Sequence, residues 1–354
     1  MVYLYASVIG NRKVSKGKSM DGSSNNEDSP IAIHIQEKVP KIRIVFMGTP
    51  QFSATILRSL IDHHYQIVGV VTQPDKPIGR TRELRPSRTK EVAIDHRLPV
   101  LQPNKLDGDA YSALKLWKPD LIIVAAYGKI LPKNMLSLPG FGCLNVHASL
   151  LPKWRGASPI HNALLSGETE TGITLMLMDE GMDTGDIITS ERTDIGPDET
   201  RPDLETRLAN IGAELLSHTL APFIERKMLP KKQDPTEATL CQLVDREDGH
   251  IFWNDDSQTI YDRYRALAPW PGIFTFWKRN GSVQRLKLLS VSHIKQSPQF
   301  RHAVGEVFEI GESIGVQTGT GILLLEELQL EGKERLDIRT FIRGYRDFIG
   351  SILQ

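Results

Sequence analysis

Apolar residues recur with two different periods along this chain, and the switching between them outlines its architecture. In "KIRIVFMGTPQF", from Lys41, Ile42, Ile44 and Phe46 alternate with Arg43 and Val45 until Gly48 and Pro50 end the run, which predicts a strand. "SATILRSLIDHH" follows with helical spacing, and Ser53 is the expected cap. "YQIVGVVTQPD" is a second β-branched run, stopped by Pro74, and "PDLIIVAAYG" is a third. The third is apolar throughout, as a strand buried on both faces must be. Strands alternating with helices predict an α/β fold with a mostly parallel sheet. The first turn, "GTPQFS", lacks the spaced glycines of a dinucleotide-binding turn, so NAD is not expected. After "LSHTLAPFIERKMLPKKQDPTEAT" the texture changes to short strands: "GIFTFW", "VQRLKLLSV", "AVGEVFEIG" and "SIGVQTGTGILLLEEL". Their spacing predicts a small β-barrel. The expected division is an appendage over 1–40, a catalytic domain over 41–228, a linker over 229–246 and a C-terminal domain over 247–354.

Composition narrows the class. The 354 residues are enough for two domains, with 40% hydrophobic and 24% charged residues and a mean hydropathy of −0.25. Formal net charge is zero, so an anionic partner has to be met by a local basic patch. Cys143 and Cys241 are the only cysteines, which excludes a disulfide framework or a cysteine zinc cluster and fits a reducing cytoplasm. No apolar run approaches the roughly 18 residues of a membrane span. At the N-terminus, basic residues follow the apolar "MVYLYASVIG" rather than precede it, the wrong order for a secretory signal. "KGKSMDGSSNNEDSP" then has the composition of a disordered arm, with an organelle transit peptide as the alternative.

Candidate chemistry centres on "LNVHASLLPKWRGASPI". If "CLNVHA" is a strand, Asn145 and His147 point the same way, at the end where doubly wound sheets bind ligands. A histidine satisfied within the core is the plain alternative. A second polar cluster, "MDEGMDTGDI", places Asp179, Asp183 and Asp186 among Gly181 and Gly185, either as ordinary turn residues or to aim a carboxylate into a cleft. With no serine or cysteine between them, Asn, His and Asp suit acyl transfer to an external amine. Asn145 and His147 would donate to an oxyanion, and Asp183 would orient His147 and help remove a proton.

"NVHASLLPKWRGASPI" and "MDEGMDTGDI" closely resemble the folate-dependent formyltransferases. "FMGTPQFS", "VVTQPDKPIGR", "AAYGKILP" and "APWPG" narrow the resemblance to the branch acting on charged initiator tRNA, over roughly residues 41 to 350. It implies a Rossmann-like formyltransferase domain followed by an OB-like barrel, with Asn145, His147 and Asp183 as the catalytic trio. Ser149, Leu150, Leu151 and Pro152 match the folate-binding signature, and Tyr127 and Gly128 fall where main-chain groups hold the pterin. The implied co-substrate is 10-formyltetrahydrofolate, the implied partner initiator methionyl-tRNA, and no metal is needed. A monomer without membrane attachment is expected. "QPDKPIGRTRELRPSRTK" matches the loop that reaches the acceptor end of the tRNA. From Lys76 to Lys90 it holds six basic residues against Glu83 alone, a density suited to phosphate. Lys76, Arg80, Arg82 and, outside the loop, Arg155 are the candidate tRNA contacts. A solvated surface loop is the alternative for the insert, and a packed turn with Trp154 in the core equally explains Lys153 to Arg155. Lys278, Arg279, Arg285 and Lys287 form a second basic group, which a solvated strand face would also explain.

Two rivals share part of this pattern. A sugar-nucleotide formyltransferase or a formyl-folate hydrolase would keep the trio without needing the basic loop or the barrel. A non-catalytic RNA-binding protein with an OB-type module would explain the basic loop but not the trio.

Overall fold

The computed structural model describes residues 41–78, 83–295 and 302–354. The first half runs β1 (Arg43–Gly48), α1 (Gln51–Asp62), β2 (Gln66–Val71), β3 (Lys76–Ile78), β4 (Glu83–Arg85), α2 (Arg88–Asp95), β5 (Val100–Leu101), α3 (Gly108–Leu116) and β6 (Leu121–Ala125). It continues with α4 (Lys133–Leu136), β7 (Cys143–His147), α5 (Pro159–Leu165), β8 (Glu170–Leu177), β9 (Ile187–Asp194) and α6 (Arg201–Ile224). The second half holds α7 (Ser257–Leu267), β10 (Ile273–Arg279), β11 (Ser282–Ile294), β12 (Val307–Ile310), β13 (Ser313–Gln317), β14 (Ile322–Leu330), β15 (Arg335–Asp337) and α8 (Ile338–Gly344).

The first sheet has the order β5-β2-β1-β6-β7-β8-β9. Its first five strands are parallel, as expected, while β8 and β9 extend it antiparallel. Strand order reverses between β1 and β6, the place where sheets of this kind open a crevice. Period-two alternation splits the strands between two cores. Ile44 and Phe46 pack with Ile123, Leu144 and Val146 on one face, and Val45 and Met47 with Ile122, Val124 and Cys143 on the other. On β7, Asn145 and His147 therefore share the face of Cys143, but lie nearer the carboxyl end.

The β1–α1 turn differs from expectation. Pro50, not Ser53, is the helix cap. Ser53 lies inside the first turn, where its hydroxyl accepts from Thr49 N–H (3.1 Å) and donates to the Ala125 carbonyl (2.6 Å). Gly48 allows this closure, since a Cβ there would sit 2.5 Å from Ser53 Cβ and 2.8 Å from that carbonyl.

In the second half the predicted short strands form an antiparallel sheet, β10-β11-β14-β13-β12, with β15 added to β14. Trp277 is buried beside Phe341 and Phe348 of the C-terminal segment. Helix α7 ties this half to the first. Its buried Arg265 donates to the Gly196 and Glu199 carbonyls and pairs with Asp262, while Tyr261 donates to Asp198. Among the described residues, no helix is long and apolar enough to cross a membrane.

Candidate active site

A cleft of about 550 Å³ opens beyond the carboxyl ends of β1, β6 and β7. Pro50 and Phe52 follow β1, residues 126–131 follow β6, and Asn145 to Ala148 close β7; the loop after β8 completes the wall with Met178, Asp179 and Asp183. Asn145, His147 and Asp183 thus meet in one cavity. Asp179 instead does turn chemistry, accepting from Gly181 N–H and the Thr184 hydroxyl.

Asp183 is held in the left-handed region, φ +54°, an uncommon conformation for a residue with a side chain. Its carboxylate accepts from Gly156 N–H at 2.8 Å and from Asn145 Nδ2 at 3.2 Å. A primary amide carries two donors, so Asn145 keeps one for the cleft. His147 is oriented differently from the sequence expectation. Its Nε2 lies 3.0 Å from the Trp154 carbonyl, and a carbonyl only accepts, so Nε2 carries the proton of this bond. Asp183 Oδ2 lies 3.7 Å from Nδ1, near enough for charge attraction but beyond a normal hydrogen bond. The Trp154 carbonyl, rather than Asp183, sets the ring.

Tyr127 and Gly128 line the cleft. Gly128 has φ +78°, and the Tyr127 carbonyl accepts from Gln73 Nε2 at 3.0 Å. Burial pushes the Tyr127 hydroxyl up to about 12, so it stays neutral. The cleft also reaches His161, Arg201 and Glu205, which the sequence analysis did not single out. Burial, reinforced by the charge of Arg201, brings His161 down to about 4.

Several expected contacts fall elsewhere. Ser149, Leu150, Leu151 and Pro152 do not line the cleft. The buried Ser149 hydroxyl donates to the Lys153 carbonyl and Leu151 N–H to Thr174, so this stretch builds the turn that presents Trp154 and Gly156. Arg155 is 9% exposed and donates to Gln233 Oε1 through Nε (3.0 Å) and a terminal nitrogen (2.7 Å), as in the packed-turn reading of this stretch. Arg80 and Arg82 lie outside the described residues. Lys76 is exposed on the β3–β4 hairpin, whose base is clamped by Asp75 between Lys90 (2.7 Å) and Gln102 (2.7 Å).

The sequence model described as "Formyl transferase" matches residues 41–220, and that described as "Formyl transferase, C-terminal domain" matches 243–346. The methionyl-tRNA formyltransferase of Citrifermentans bemidjiense is 43% identical over 88% of this chain and 96% of its own length. The chain belongs to the methionyl-tRNA formyltransferase family. That of Caldicellulosiruptor saccharolyticus is likewise 43% identical, over 88% of this chain and 99% of its own. Family membership makes the chain an enzyme of formyl transfer. Among solved structures, the N-formyltransferase of Helicobacter canadensis, in complex with folinic acid and dTDP-3-aminofucose, has the same fold. It aligns with a TM-score of 0.60 at 18% identity, over 80% of this chain and 98% of its own.

Proposed function

We propose that this cleft transfers a formyl group from 10-formyltetrahydrofolate to the α-amino group of methionyl initiator tRNA, in the cytoplasm. The observation that carries the reading is the meeting of Asn145, His147 and Asp183 in one cleft, which Tyr127 and Gly128 also line. The folate fits the apolar wall of Val124, Leu131, Met176 and Met178 with the main-chain groups of Tyr127 and Gly128, and supplies the one-carbon unit. The residues of the chain do the rest. Asn145 gives its second amide hydrogen to the formyl oxygen as negative charge grows there. His147 can add a donor from Nδ1 only as the imidazolium, since Nε2–H is committed to Trp154, and the carboxylate 3.7 Å away attracts that charge. Asp183 accepts the proton that the amine loses. The amine nitrogen bonds to the formyl carbon, the bond from that carbon to folate N10 breaks, and the proton ends on N10.

A sugar-nucleotide formyltransferase would share the trio. The basic hairpin after β2, the second sheet and 43% identity along nearly the full length of tRNA-acting relatives favour the tRNA substrate. The test is formylation of charged initiator tRNA beside charged elongator tRNA and an amino-sugar nucleotide. Preferential formylation of the initiator supports the reading. Turnover of the sugar nucleotide alone, or folate hydrolysis without transfer, would replace it.

A further inference from the structure

The segment from Leu229 to Arg246, expected as a linker, is hydrogen-bonded to the turn and the loop that hold the candidate trio. It lies mostly between the stretches matched by the two family models, 41–220 and 243–346. Thr239 accepts Trp154 N–H on its hydroxyl (2.8 Å) and Arg155 N–H on its carbonyl (2.9 Å), and Cys241 N–H returns to the Arg155 carbonyl (2.8 Å). The turn so pinned carries the carbonyl that orients His147 and the N–H that holds Asp183. Gln233 adds a direct hold on the loop of Asp183. Its Nε2 donates to the main-chain carbonyls of Asp183 (2.8 Å) and Gly185 (2.7 Å), while its Oε1 accepts the Arg155 guanidinium. Both donors and the acceptor of one amide are therefore used on the loop and turn that hold the trio.

We infer that Gln233 is a positioning residue for formyl transfer, fixing the left-handed main chain at Asp183 so that its carboxylate meets the attacking amine. This rests on the catalytic reading of Asp183. Only an amide satisfies all three partners. Two carbonyls need donors and a guanidinium needs an acceptor, and Gln233 bridges them with a single side chain. Glutamate would keep, and charge-strengthen, the bond to Arg155 but would turn an acceptor toward two carbonyls. Gln233→Glu thus separates docking of the segment from positioning of the loop.

The experiment compares wild type, Gln233→Glu, Gln233→Met and Asp183→Asn for kcat, both KM values, the pH profile of kcat and thermal melting. Displacing a catalytic group by about 1 Å can cost on the order of 100-fold. Gln233→Glu is expected to melt near wild type yet lose about 10- to 100-fold in kcat. Its folate KM should hold, and its pH profile should change shape toward that of Asp183→Asn. Gln233→Met should lose kcat in the same way, even if it melts lower. A kcat within about twofold of wild type in Gln233→Glu, beside a collapsed Asp183→Asn, overturns the role of Gln233 alone. So does a loss in both Gln233 variants with a pH profile parallel to wild type, because that is what structural damage gives. Near-normal Asp183→Asn overturns the catalytic reading and the role of Gln233 with it.

Discussion

Asn145 spends one amide hydrogen on Asp183 and keeps one for the cleft, so under the proposed mechanism its truncation removes a transition-state donor and a tether together. Loss of such a donor costs about 10²–10³ in turnover. Asn145→Ala should lose turnover on that scale while tRNA affinity, measured by direct binding, hardly moves. Near-normal formylation by the folded variant would remove Asn145 from the chemistry. His161 sits in the same cleft but ionises only near 4, so it is neutral across the neutral range. His161→Asn should therefore leave the shape of the pH–rate profile intact, and a lost or displaced limb would contradict this. Asn145 and His147 were legible in sequence because a strand's alternation is a strict rule. The Trp154 carbonyl that orients His147 was not, because a main-chain acceptor carries no residue identity. Arg155 left two readings open in sequence, a packed turn or an RNA contact, because its half-buried partner Gln233 lies 78 positions away.

Under the proposed function the β3–β4 hairpin meets the tRNA, and its base is stapled to the cleft wall. Gln102 holds the Gln73 carbonyl and Asp75, Lys90 pairs with Asp75, and Gln73 reaches the Tyr127 carbonyl. Bonds from Lys90 and Gln102 hold the Asp75 carboxyl below its usual range. A carboxylate lowered on folding contributes fully above its unfolded pKa and loses that contribution as pH falls through the folded value. The clamp is thus intact at neutral pH and released only in acid. Asp75→Asn should raise the KM for charged tRNA, leave the folate KM in place, and cost as much at about pH 6 as at pH 8. An unchanged tRNA KM, or a cost confined to one end of that range, would count against the clamp. The basic density of this insert was readable from composition. The clamp was not, because it joins residues from β2 to beyond β5. The Lys, Pro, Asp and Thr content of the segment after α6 shows a connection between the two halves, but not its hydrogen bonds to the turn and loop behind the cleft, which join distant positions.

At the scale of the whole molecule, the α/β order and the second antiparallel sheet followed from the change in apolar period, whereas their joint did not. It rests on Arg265, 4% exposed, which pairs with Asp262 and donates to two carbonyls before α6. Removing one member of a buried pair leaves the other uncompensated, at about 3–5 kcal/mol. Arg265→Met should lose stability on that scale in denaturant unfolding, and a loss below about 1 kcal/mol would show the joint held by apolar packing alone. The two halves serve one event, transfer of a formyl group to an amine presented on a large anionic partner. Free α-amines ionise near 7.7–8.0, so at neutral pH much of the acceptor needs to lose a proton before it can attack. The most direct measurement is the single-turnover rate of formyl transfer to charged initiator tRNA, followed against pH for wild type and Asp183→Asn. Asp183→Asn should lose the rate severely at neutral pH and regain part of it as the amine deprotonates in alkaline solution. A profile parallel to wild type and only slightly lower would contradict it.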